Sequence, residues 1–197
     1  MSLKQERNAA IAETMAKVRA IEAADGVTRT SVAKMQAALV PLTKRTELFS
    51  EEDFPNPPEG DPARLYLLSE DTDGRFPIYL TCSNPGGAVR PHNHGTWAVV
   101  AGLSGVEENV YYDRASGGDT PGPANLIMRE VVQVGAGEST GMLPDDVHSV
   151  ATPGDVPRRH FHMYGLSLER LPKRLAWDMT SGTCAYMEIN PKIVRLD

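Results

Sequence analysis

Beyond residue 62 the chain is interrupted too often to form helices. Asp73-Gly74, Pro85-Gly86-Gly87, Ser116-Gly117-Gly118 and Pro153-Gly154-Asp155 cut it into short runs. Glycine and proline clusters of this kind enforce turns, because glycine reaches backbone conformations closed to other residues and proline removes an amide donor. The runs between them predict strands at 64–69, 76–83, 96–103, 106–113, 125–134, 139–143, 147–152, 159–168 and 183–189. Strands this closely spaced, with no helical period between them, bury one face by curling into a sandwich or a jelly-roll barrel.

The first third reads differently. Ile11, Met15, Val18 and Ile21 recur at helical spacing with charged residues between them, predicting an amphipathic helix over 1–23. Ser2 is its candidate N-cap and Gly26 follows its last turn. A second helix is predicted over 30–41, capped by Thr30 or Ser31, with Val32, Met35, Ala38 and Leu39 as its buried stripe and Pro41 as its limit. A short third helix is expected within 43–53. Residues 54–62, FPNPPEGDP, hold four prolines and form a rigid loop or linker. The expected organisation is a helical segment, 1–53, packed on a β-barrel, 54–197.

The length, 197 residues, suits one such unit. A net charge of −6 with no cluster of Lys and Arg argues against nucleic acid or an anionic membrane as the main partner. No apolar run approaches the roughly 20 residues that span a bilayer, and the polar start MSLKQERNAA is unlike a secretory signal. Cys82 and Cys184 lie far apart and are expected as reduced thiols, which suits a cytoplasmic protein, monomeric or a small homo-oligomer.

All five histidines fall between residues 92 and 162. Two form His92-Asn93-His94. Alternate residues of a strand share a face, so both imidazoles can meet one metal ion from one wall. The turn Asn84–Gly87 precedes them and places the pair at a strand's beginning, near a barrel mouth. Gly86, five residues, then His92-x-His94 resembles the first motif of the cupin superfamily. Gly141-Met-Leu-Pro144-Asp-Asp-Val-His148 resembles the second. The resemblance implies a mainly β fold, a cupin double-stranded β-helix (jelly-roll barrel) with an N-terminal α-helical segment, and a metal held by His92, His94 and His148. The usual pattern adds a glutamate four residues after the second histidine, where this chain has Ala98. Glu107 and Glu108 come too late for that role, and alternation is expected to turn at least one to solvent. Three neutral imidazoles without a carboxylate leave up to three open positions on octahedral Fe(II). Zn(II) also accepts three histidines with water as the fourth ligand, and Ni is compatible with the same donors.

A ligand set without a carboxylate is similar to that of the thiol dioxygenases, the family of cysteine dioxygenase and 3-mercaptopropionate dioxygenase. The likeness runs from about Arg64 to Tyr164. It includes Asp73-Gly-Arg-Phe76 and Pro91-His-Asn-His94-Gly-Thr-Trp97, followed by Val99, Val100 and Gly102. The family's Ser-x-His-x-Tyr strand reads His160-Phe161-His162-Met163-Tyr164 here, with His160 in the serine position. The resemblance implies oxidation of a small thiol to its sulfinate with O2, His162 and Tyr164 as catalytic residues, and Arg64, His160 and Trp97 on the substrate side. Arg90 is a second candidate for a substrate carboxylate. Neither cysteine follows the His-x-His motif, so no thioether crosslink to Tyr164 is expected. The same three histidines also serve a carbon–carbon cleaving dioxygenase, an isomerase or hydrolase, or a metal-stabilised or ligand-sensing cupin without catalysis.

Overall fold

A computed structural model describes residues 2–61, 63–187 and 193–195. Helix α1 (Leu3–Asp25) starts at Ser2, which shares a reciprocal capping box with Gln5, and ends at Gly26 with φ 62°. Only glycine takes that left-handed conformation without a steric cost. Helix α2 (Arg29–Thr43) is capped by Thr28, not by Thr30 or Ser31, because Thr28 and Ser31 satisfy each other's amides. It also runs through Pro41. The missing amide falls in the last turn, where buried Leu42 and Thr43 hold the chain helical and the Thr43 hydroxyl donates to the Val40 carbonyl at 2.7 Å. The expected third helix shrinks to a 3-10 turn, Thr46–Leu48.

The strands are β1 (Ala63–Ser69), β2 (Ile78–Ser83), β3 (Ala88–His92), β4 (Ala98–Ser104), β5 (Glu107–Ser116), β6 (Gly122–Pro123), β7 (Asn125–Val134), β8 (Ser139–Met142), β9 (Val147–Ala151), β10 (Arg158–Tyr164), β11 (Leu175–Asp178), β12 (Thr183–Tyr186) and β13 (Ile193–Arg195). One sheet runs β13-β1-β2-β10-β4-β8 and the other β6-β12-β11-β3-β9-β5-β7. Pairing is antiparallel except between β1 and β13. From β2 to β5, and again from β7 to β11, successive strands alternate between the sheets, which is the winding of a double-stranded β-helix. β3, β6, β11 and β13 have no counterpart among the expected strands; they are two to five residues long and lack an alternating stretch. The strand expected over 159–168 ends at Tyr164, and that expected over 183–189 ends at Tyr186, with residues 188 and 189 outside the described residues.

β2 and β10 are buried at every residue, and β4 at all but its last. The cause is cover on both sides. Their outward side chains, among them Leu80, Val99, Phe161 and Met163, join Met15, Met35 and Leu39 of the helices in one core. Their inward side chains, among them Tyr79, Val100 and Tyr164, face the barrel. The proline-rich segment is fixed to the barrel by Asn84, whose Nδ2 donates to the carbonyls of Pro57, Pro58 and Asp61 at 3.1–3.2 Å. Among the described residues no helix is long and apolar enough to cross a membrane.

Candidate metal centre and its cavity

His92 closes β3 rather than opening a strand. Between Val89 and His92 the pairing of β3 with β9 slips at Arg90-Pro91, so that His92 stands opposite His148. Proline has no amide to give the ladder, and a bulge is where it fits. His94 lies past the strand, so strand alternation does not aim it. Asn93 does: its amide donates to the Leu175 carbonyl at 3.0 Å, its Oδ1 accepts from the Leu175 amide at 2.8 Å, and its own carbonyl accepts from Arg174 Nε at 3.1 Å. Gly95, at φ 66°, then turns the chain and donates to the Pro144 carbonyl at 3.0 Å. That bond ties the loop of the first motif to the loop of the second.

The three rings converge. Their centroids lie 5.0 Å (His92–His94), 4.7 Å (His92–His148) and 5.0 Å (His94–His148) apart. One nitrogen from each falls within 4.8 Å of the other two, and all three residues are buried. His92 Nδ1 donates to the Arg90 carbonyl at 2.9 Å. That fixes its tautomer and leaves the Nε2 lone pair available. His148 Nε2 and His94 Nδ1 are buried without a hydrogen-bond partner among the described residues. Burial, reinforced by His148 and Arg174, holds His92 well below the usual histidine range, and burial with Arg174 does the same for His94. Burial brings His148 down to about 4, against the opposing pull of Glu107. Neutral imidazoles with unpartnered nitrogens turned on one point suit a divalent metal ion. Ala98, where the cupin pattern puts a carboxylate, is a buried residue of β4 that offers no ligand atom.

Of the two glutamates, Glu107 is the one turned inward. It is fully buried at the start of β5, and only Glu108 is partly exposed. Arg158 pairs with Glu107 Oε2, His162 Nε2 lies 3.3 Å from that atom, and His160 Nδ1 lies 3.8 Å from it. Burial alone would raise the carboxyl's pKa. Arg158, His162 and His160 outweigh that and hold it well below the usual carboxylate range. An ionised carboxylate only accepts. Asn109 therefore turns its Nδ2 to Glu107 Oε1, at 3.1 Å, and its Oδ1 to His148 Nδ1, at 2.8 Å. On its other side, His162 Nδ1 lies 3.3 Å from the Tyr164 hydroxyl, which can donate to it. Burial pushes the Tyr164 phenol up to about 12, so it keeps its proton. Its ring stands 5.4 Å from that of His94.

A cavity of about 410 Å³ opens on this cluster. His92, His94, His148, His162 and Tyr164 line it; Arg64, His160, Trp97 and Arg90 do not. Alternation explains Arg64: Ala63 and Leu65 face the cavity, while Arg64 lies on the other side of β1, 3.4 Å from the Tyr66 hydroxyl. Trp97 faces the helices, packed near Phe76 at 6.1 Å between ring centroids. His160 is enclosed behind His162, and burial lowers it to about 4. Arg90 is exposed. The cations that line the cavity are Arg158 and Arg174. Arg158 is matched by Glu107. Arg174 is buried and has no carboxylate partner among the described residues.

No family model matches the chain, and no curated protein matches it in sequence. Several solved structures are similar to part of it. An uncharacterised double-stranded β-helix protein from Klebsiella pneumoniae is 19% identical over 63% of this chain and 88% of its own, with a TM-score of 0.43. A cupin superfamily protein from Desulfitobacterium hafniense is 12% identical over 62% of this chain and 88% of its own, at 0.43. Oxalate decarboxylase of Bacillus subtilis, described with Mn(II) centres, is 18% identical over 57% of this chain and 28% of its own, also at 0.43. These likenesses are of fold alone. The winding of the two sheets makes the chain a mainly β protein of the cupin, double-stranded β-helix type with an N-terminal helical segment. Inside the barrel, three histidines form a group able to hold a metal ion.

Proposed function

We propose that the protein is a non-haem Fe(II) dioxygenase that oxidises a small anionic thiol to its sulfinate. One observation carries the reading: three neutral imidazoles with no carboxylate among them share a cavity with a buried Tyr164–His162–Glu107 chain. His92, His94 and His148 would hold the iron, which, when bound, brings thiolate and O2 together so that both oxygen atoms end on sulfur. The balance is RS⁻ plus O2 giving RSO2⁻, with no further reductant.

The protein's own groups supply the rest. A thiol must lose its proton to ligate. Tyr164 Oη can take that proton as its own passes to His162 Nδ1, and the imidazolium so formed faces Glu107. The carboxylate is already ionised, held so by Arg158. Arg174 supplies the positive charge for the substrate's anionic group. It takes the role that the sequence resemblance gives to Arg64, because Arg174 borders the cavity and is tied to the metal-binding loop through the Asn93 carbonyl.

The test is metal analysis of the purified protein followed by O2 uptake with a panel of thiols and isotopically labelled O2. Stoichiometric iron and a sulfinate carrying two labelled oxygens support the reading. Iron-loaded protein that consumes O2 with no thiol, or turns over only carbon acids, overturns it.

A further inference from the structure

The cavity has more room than a three-carbon mercapto acid fills. Arg158 and Tyr164 both line it and both belong to β10. Five residues lie between them, so the β10 backbone beside the cavity spans about 20 Å at roughly 3.3 Å per step. Its 410 Å³ equals about a dozen water-sized groups at roughly 30 Å³ each. A three-carbon mercapto acid has half that number of non-hydrogen atoms. Register shows where the surplus lies. The histidines, Tyr164 and Arg174 occupy one end. Toward the other end Ala63 pairs with Ser83, Ser83 with Arg158, and Val89 with Val150. That half is walled by Ala63, Leu65, Val89 and Val150, with Asp61, Thr81 and Ser83 as its polar members. Arg158 starts from that level, but its guanidinium reaches Glu107 beside His162.

On this basis, and resting on the thiol dioxygenase reading above, we infer that the substrate is a mercapto acid bearing an apolar body, with thiol and carboxylate at the histidine end and the body in the half lined by Leu65, Val89 and Val150. Apolar walls of this area gain nothing from a short polar substrate. They favour a ligand that displaces their water.

The experiment uses the full chain as purified with its metal and has two arms. The first titrates two thiol-free probes, propanoate and 3-phenylpropanoate, by calorimetry. The second measures O2 uptake with 3-mercaptopropanoate and 2-benzyl-3-mercaptopropanoate. Binding of 3-phenylpropanoate at least tenfold tighter than propanoate is expected. Val89→Phe and Ala63→Phe, which fill the apolar half, should each reduce that ratio below threefold. The benzyl thiol should give the higher kcat/KM in wild-type protein. Equal binding of the two acids, or an advantage that both variants keep, overturns the inference. Oxidation of the short thiol alone also overturns it and leaves the dioxygenase reading intact. Tight binding of phenylpropanoate with no thiol oxidised supports the apolar subsite and removes the reading on which the thiol rests.

Discussion

Asn109 Oδ1 accepts the Nδ1 proton of His148 at 2.8 Å, and the same amide is held from behind by Glu107 at 3.1 Å. The orientation of a triad histidine is thus set by a carboxylate outside the triad. Glu107 fixes which way the amide faces, the amide fixes the tautomer, and the tautomer turns the Nε2 lone pair toward His92 and His94. Asn109→Leu keeps the volume and removes the lock. Iron affinity, read by chelator competition, should fall by about 10- to 100-fold, with the fold intact by circular dichroism. Unchanged affinity would mean that packing against Tyr111, stacked 5.9 Å away, suffices to orient the ring.

The proposed proton route ends at Glu107, and this role can be separated from its structural one. Glu107→Gln leaves Arg158 buried and unmatched, which should cost about 3–5 kcal/mol of stability. Adding Arg158→Met removes the stranded charge and should restore most of the melting temperature. If the carboxylate stabilises an imidazolium at His162, the double variant still loses about 10²- to 10⁴-fold in kcat, and its pH–rate profile shifts. Recovery of activity together with stability would make Glu107 a purely structural partner of Arg158.

Charge placement gives a second contrast. Arg174 is buried in the cavity wall, whereas Arg64 lies across the sheet beside Tyr66. A charge-assisted hydrogen bond contributes about 1.5–3 kcal/mol, so Arg174→Gln should raise KM for an anionic thiol by about 10- to 100-fold. Arg64→Gln should leave KM within about twofold. The reverse pattern would return the anchor to Arg64.

These residues show how far the sequence could be read. The barrel was legible because turn clusters and alternating runs are local signals, and the histidine triad because His92-x-His94 and Pro144…His148 keep the donors near recognisable turns. The charged interior was not. Glu107, Asn109 and Tyr111 do alternate onto one face of β5, but a polar face in a strand ordinarily meets water. Nothing local shows that Arg158 waits inside to match Glu107. Arg174 gave no signal at all, since it reaches the site through a long-range bond to Asn93 from a loop some eighty residues away. Trp97 misled for the opposite reason. It sits in a recognisable motif, yet β4 is covered on both faces, and Trp97 falls on the side packed by helices.

Acid should destabilise the metal-free protein, and the sign follows from burial. His148 and His160 sit at about 4 when folded, against 6.5 for an ordinary histidine, and His92 and His94 also lie well below 6.5. Between those values the unfolded chain binds more protons than the folded one. The free energy of unfolding therefore rises with pH across this window, and the contribution is complete above 6.5. Glu107 acts in the same sense lower down: its depressed pKa gives stability that is present above 4.5 and lost as the pH falls further. Chelator-stripped protein should show a melting temperature that is flat above pH 6.5 and falls steadily from there to pH 4. Iron-loaded protein should start higher and fall more steeply, because protons then also compete with the metal for the imidazoles. A metal-free melting temperature that held level across this range would mean that the histidines take up protons in the folded state, and the neutral donor set argued for the metal centre would fall with it.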